Sequence, residues 1–268
     1  MKRGKRAQVT IFITIGIILV VAVSLFLIIR SGIVSNIGGK KETSPNIFLL
    51  TCLEGKIKEG IEKLSLQGGD IDNSGKISID FLFKEEGISR NISYLCYNQN
   101  YYGPQCFSCS ACVAQEPLLI QHIKNELHDY ISDEVDFCMN EMKESLEKQG
   151  FETRLSYTGF NVEVIPKKVS VNIEGDLNLE NAEESSTQKN FRVAIASMIY
   201  DLASVSHEIA DQEARYCNFE NAGYMILYPE WKIDIKKVEG TKIYSVKHVL
   251  SKEKFRFAIR SCVFPYGF

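Results

Sequence analysis

The first thirty residues contain no acidic side chain, and no cysteine occurs before Cys52. The first absence leaves Lys2, Arg3, Lys5, Arg6 and Arg30 unopposed around an uncharged stretch. It also makes the remainder acidic. Of 31 basic residues in the 268-residue chain, 26 lie beyond this stretch, against all 34 acids. An acidic body repels phosphate backbones, which argues against nucleic acid as a partner. Also missing are a Gly-x-Ser-x-Gly elbow, a phosphate-cradling glycine loop, a dinucleotide fingerprint and alternating βα units. The usual sequence grounds for a hydrolase or a doubly wound nucleotide-binding sheet are therefore lacking. Hydrophobic residues make up 45% and charged residues 24%, which suits a globular body and not a disordered or multi-pass chain.

What is present is one long apolar run. Val9 to Ile29 reads VTIFITIGIILVVAVSLFLII, without a charge. As a helix it would be about 31 Å long, close to the hydrocarbon thickness of a bilayer. Four basic residues precede it and one follows, so residues 1–8 are expected in the cytoplasm and everything after Arg30 outside. A cleaved secretory signal would have a shorter apolar region and a small-residue cleavage site, and Leu27 to Gly32 offers none.

Lys5-Arg6-Ala7-Gln8-Val9-Thr10-Ile11-Phe12 resembles an archaeal class III signal peptide of the type IV prepilin kind. The resemblance is confined to about the first 30 residues. It implies cleavage between Ala7 and Gln8, before the apolar run, so that the helix stays on the mature protein. Pilins commonly carry a glutamate at the fifth mature position; Phe12 stands there in this chain. The wider layout, including Leu66-Gln67-Gly68-Gly69, is similar to archaeal membrane-anchored proteins of uncharacterised function.

Residues 30–43 form a small-residue linker, and residues 44–268 an α+β body of about three helices packed on antiparallel strands. Ser44-Pro45 starts a helix with Leu50, Leu53, Ile57, Ile61 and Leu64 on one face, closed by Gly68-Gly69. Strands follow over 76–83 and 92–97, then a cysteine-rich loop over 98–116. A helix runs from Pro117 to Lys148, with Ser132-Asp133 as a candidate break. Residues 151–179 alternate as a meander, and 180–188 read as a polar loop. A third helix is expected over 191–216. The chain ends in strands at 231–238, 241–248 and 255–263, with Glu239-Gly240 as a tight hairpin turn.

Eight cysteines, at 52, 96, 106, 109, 112, 138, 217 and 262, suit disulfides if the body is outside the cell. Their placement on elements suggests Cys52 with Cys138, Cys217 with Cys262, and pairing within the loop for Cys96, Cys106, Cys109 and Cys112. Those four loop cysteines, with His122 as a further ligand, form the alternative of a tetrahedral zinc site. Cys109-x-x-Cys112 is a candidate redox pair. Asp70, Asp72 and Ser74 fall at the first, third and fifth places of a calcium-type loop, with Gly75 sixth, but Phe81 stands where a bidentate carboxylate belongs. His207-Glu208-Ile209-Ala210-Asp211 approaches a zinc-protease helix but lacks the second histidine. Asn91-Ile92-Ser93 is a glycosylation sequon. Tyr94, Tyr97, Tyr101, Tyr102 and Phe107 gather around the cysteine loop.

These observations point to a single-pass membrane protein with no cofactor and no catalytic residue singled out. Its partners are the bilayer, through residues 9–29, and other envelope or filament proteins. The function expected is non-catalytic binding, adhesion or assembly at the cell surface. The alternatives are a type IV pilin-like subunit and an extracytoplasmic redox or metal-binding enzyme.

Overall fold

A computed structural model describes residues 19–20, 44–98, 112–182 and 185–261. The processing site at Ala7 and Gln8, the linker, Cys106, Cys109, Cys262 and all of the apolar run but Leu19 and Val20 lie outside the described residues. Among the described residues, no helix is long and apolar enough to cross a membrane.

Pro45 begins the first helix, α1 (Pro45–Leu66), which buries Leu49, Leu53, Ile57, Ile61 and Leu64 at helical spacing. The chain then forms a hairpin, β1 (Ser78–Phe83) and β2 (Ile88–Tyr97), and a short β3 (Val113–Ala114). The second helix, α2 (Leu119–Lys148), is unbroken. Ser132 and Asp133 do not interrupt it, because the buried row passes on either side of them through Ile131 and Val135. A long three-stranded meander follows: β4 (Glu152–Ile165), β5 (Lys168–Glu180) and β6 (Ser185–Ala196). Then come α3 (Ile199–Tyr216), the short α4 (Asn221–Leu227), and strands β7 (Trp231–Val238), β8 (Thr241–His248) and β9 (Lys254–Arg260).

Two sequence expectations fail at β6. Residues 191–196 are the end of strand β6 and do not belong to the third helix, which starts at Ile199. Phe191, Val193 and Ile195 are buried and Arg192, Ala194 and Ala196 exposed, a period of two that outweighs the helical match through Ile195. Residues 185–188 are strand as well, held by ladder hydrogen bonds to β5 and not by burial.

The strand order β1-β2-β9-β8-β7, with β3 on β2, makes one sheet; β4-β5-β6 make another. The expected antiparallel pattern is broken once, where β2 and β9 run parallel. Both are central and largely buried, as parallel neighbours usually are. Helices α1 and α2 pack on each other, with the meander against both and β9 against α1; α3 lies on β2, β8 and β9. One continuous apolar core joins these layers. On the far side of the mixed sheet, Phe83, Ile92, Tyr94, Ile243 and Ala258 form a smaller cluster, with the Arg256 guanidinium 3.7 Å from the centre of the Phe83 ring.

Disulfides join parts that are far apart in sequence. Cys52 on α1 bonds to Cys138 on α2, and Cys96 at the end of β2 bonds to Cys112 beside β3. Cys217 is also disulfide-bonded. Among the described residues no cysteine is free.

Candidate functional site

The polar centre of the body is built by the turn after α1. Gly68 (φ 86°) and Gly69 (φ 101°) carry positive backbone angles that end the helix. A Cβ on Gly68 would lie 2.9 Å from the Ser93 carbonyl oxygen, and one on Gly69 would lie 2.9 Å from Leu119 Cδ1. Only glycine therefore lets the loop press between β2 and the start of α2. The Gln67 side-chain amide donates to the carbonyls of Asp70 (3.1 Å) and Ile71 (2.9 Å), fixing the loop that follows. Asp70 is thereby delivered, fully buried, beneath the first turns of α2.

There Asp70 Oδ1 meets His122 Nε2 at 2.7 Å and accepts a hydrogen bond from the Lys76 ammonium. Lys76 Nζ is also 3.2 Å from His122 Nε2 and 3.4 Å from Glu116 Oε1. His122 Nδ1 faces Glu116 Oε2 at 3.8 Å. One turn further along α2, Glu126 Oε2 accepts from the Ile71 backbone N–H at 3.0 Å. Asp70 Oδ2 is buried and has no hydrogen-bond partner, as is the Ser93 hydroxyl beside this network.

Burial alone would raise the Asp70 pKa, but the hydrogen bonds from His122 and Lys76 overcome it, the nearby Ser93 hydroxyl acts in the same direction without a formed hydrogen bond, and the carboxyl is held below its ordinary value. The hydrogen bond to Asp70 raises His122 against the opposing effects of burial and Lys76. Lys76 is raised as well, since Asp70, Glu116 and Glu126 outweigh its desolvation. The cluster thus favours Asp70 as a carboxylate beside the Lys76 ammonium. It fastens the 67–76 loop to α2, and its oxygens and imidazole nitrogen are of the type that holds a metal ion.

The other sequence candidates fall elsewhere. The calcium-type residues do not share a site: Asp70 is committed to His122 and Lys76, while Asp72 Oδ1 accepts from the Ser74 backbone N–H (2.9 Å) and hydroxyl (2.6 Å) in a local turn. A strand, not a second helix, follows that loop. The zinc set loses Cys96 and Cys112 to their mutual bridge, and that bridge also takes Cys112 from the Cys109 redox pairing. His122 lies with Asp70, not with the cysteines. His207 Nε2 is 3.1 Å from the Pro117 carbonyl, and Glu208 accepts from the Tyr224 hydroxyl. Asn91 sits on β2 with its side-chain amide shared between Asn73 and Asp80. Tyr94 and Tyr97 pack edge to face at 4.9 Å, and the Tyr94 hydroxyl is 2.8 Å from Thr241 Oγ1, so these two aromatics serve the smaller apolar cluster. Cys52, Glu134 and Cys138 also converge, but the two sulfurs are bonded to each other and offer no thiolate.

Sequence reading missed the grouping of Asp70, Lys76, His122 and Glu126. Its one available signal was the spacing of His122 and Glu126, four apart and so on one helix face. No family model matches the chain, and no curated protein or solved structure is significantly similar to it.

Proposed function

We propose that this chain is a single-pass membrane protein whose body, from residue 44 onward, stands outside the cell as a non-catalytic surface or envelope component. The uncharged run from Val9 to Ile29 supports the anchor. The observation that carries the reading is the Cys52–Cys138 bridge, which ties α1 to α2 across 86 positions. A structural bridge of this kind is kept in an oxidising compartment and reduced in most cytosols. Ser31 to Lys41 contains three glycines and two serines, a composition that lets a body stand clear of the bilayer.

Protease added to intact cells tests the topology. A C-terminal tag is expected to be removed without lysis, and the non-reduced mass to be lower than the reduced mass by two hydrogens per bridge. A tag shielded until lysis would overturn the proposal.

A further inference from the structure

We propose that Asp70, His122 and Glu126 bind a divalent transition-metal ion of the zinc class, with the Lys76 ammonium as a built-in competitor for the same place. One candidate ligand atom from each of the three residues lies within 4.8 Å of the other two. His122 and Glu126 are four apart on α2, the spacing by which helices present two ligands to one ion. Asp70 comes from the loop that Gly68 and Gly69 press against that helix. Two carboxylates and an imidazole are a ligand set that zinc accepts, while the imidazole disfavours calcium and magnesium.

Two further observations support a ligand here. Asp70 is 0% exposed, and its Oδ2 has no hydrogen-bond partner. A buried carboxylate oxygen left bare is costly, and a coordinated ion would satisfy it. His122 also turns Nδ1 toward Glu116 Oε2, at 3.8 Å, while Nε2 points at Asp70. A carboxylate behind the far ring nitrogen is the usual support of a metal-bound histidine.

Lys76 explains why the site holds together without a metal. Its ammonium rests on Asp70 and lies close to His122 and Glu116, so a monovalent cation already sits where the ligands converge. Its side chain is 33% exposed, so part of it already reaches water. A divalent ion offers these ligands more charge and shorter bonds, and its binding would move Lys76 outward. No covalent or redox step is involved.

The test is Zn²⁺ titration of the full chain, purified in detergent and stripped of metal, with Co²⁺ absorption as the coordination readout. The expected result is one Zn²⁺ per chain, with affinity lowered at least about tenfold by His122→Ala and by Glu126→Gln. Lys76→Met is expected to tighten binding, because it removes both the competitor and a like charge. An adventitious surface site would be indifferent to Lys76. Circular dichroism identifies any variant that fails to fold; Glu126→Gln and Lys76→Met keep the test decisive if His122→Ala does. The proposal is overturned if wild type binds no Zn²⁺, if binding appears only in Lys76→Met, or if binding is unchanged by Glu126→Gln. None of these results bears on the membrane topology, which the protease experiment reads separately.

Discussion

The two bridges whose partners are both described differ in the length of chain they close, and that difference can be measured. Cys52–Cys138 spans 86 positions and Cys96–Cys112 spans 16. If a bridge acts by restricting the unfolded chain, the longer closure removes more entropy. The loop-closure relation gives about 4.5 kcal/mol for the first and about 3 kcal/mol for the second. Packing loss works against this ordering, since Cys96 and Cys112 are both buried whereas Cys52 is only partly so. Replacing each pair with alanines and unfolding the full chain in urea, in detergent and without reductant, should still show the Cys52/Cys138 variant to be the less stable, by up to about 1.5 kcal/mol. In thermal unfolding the longer bridge's removal should cost about 9–18 °C for a body of this size. The denaturant slope should also steepen, because an uncrosslinked denatured chain exposes more surface. Equal losses, or a larger loss for Cys96/Cys112, would refute the entropic argument and place the stabilisation in the native contacts of β2 and β3.

Glu213 is fully buried on α3, accepts from Lys242 Nζ at 2.7 and 2.8 Å, and also takes the Tyr244 hydroxyl. Lys242→Met should cost about 3–5 kcal/mol in urea unfolding by stranding that charge, and adding Glu213→Gln should recover part of it. Gly60→Ala should destabilise by about 1–3 kcal/mol, since the new Cβ would meet Leu127 Cδ1 at 2.7 Å and Tyr130 Cδ1 at 2.9 Å where α1 crosses α2; unchanged melting would show that both side chains yield freely. Glu86 is gripped by Arg256 and Lys254, which hold its pKa down from 4.5 to about 2. A depressed carboxylate stabilises the fold above its unfolded pKa and loses that contribution as pH falls toward 2. Melting temperature against pH should therefore fall less steeply across that window in Glu86→Gln than in wild type. The difference should be about 1 kcal/mol, since water screens the partly exposed pair; parallel curves would contradict it.

How far the fold could be read from the sequence depended on whether burial or hydrogen bonding holds each element. Helices α1 and α2 bury one continuous stripe each, so the recurrence of Leu53, Ile57, Ile61 and Leu64, or of Ile123, Leu127, Ile131 and Val135, locates them directly. The hairpin at Glu239-Gly240 was readable because positive φ at both positions (46° and 78°) suits a two-residue turn. Strand β6 resisted for the opposite reason. Its first half has no buried side chain, so Ser185 to Asn190 carry no apolar alternation, and only the backbone ladder makes them a strand. Its second half ends three residues before α3, and Ile195 lies at a spacing that either period accepts.

The polar cluster was hidden by a different physical fact. Its members are separated in sequence by the β1–β2 hairpin and the cysteine loop, and they meet only because Gly68 lets the chain approach Ser93 on β2. The sequence places Asp70, Asp72 and Ser74 on one plausible oxygen-rich turn, and nothing local tells Asp70 to leave it. What separates them is a contest of environments. Asp72 finds its partners two residues away in Ser74 and stays in water. Asp70 is carried inward and must find partners from elsewhere or remain a bare buried charge. Lys76 and His122 supply two of them at one oxygen, and the other oxygen goes without. That imbalance, a buried carboxylate half satisfied beside an imidazole and a second carboxylate, is a property of the folded arrangement. No spacing rule applied to residues 70–76 alone could have found it.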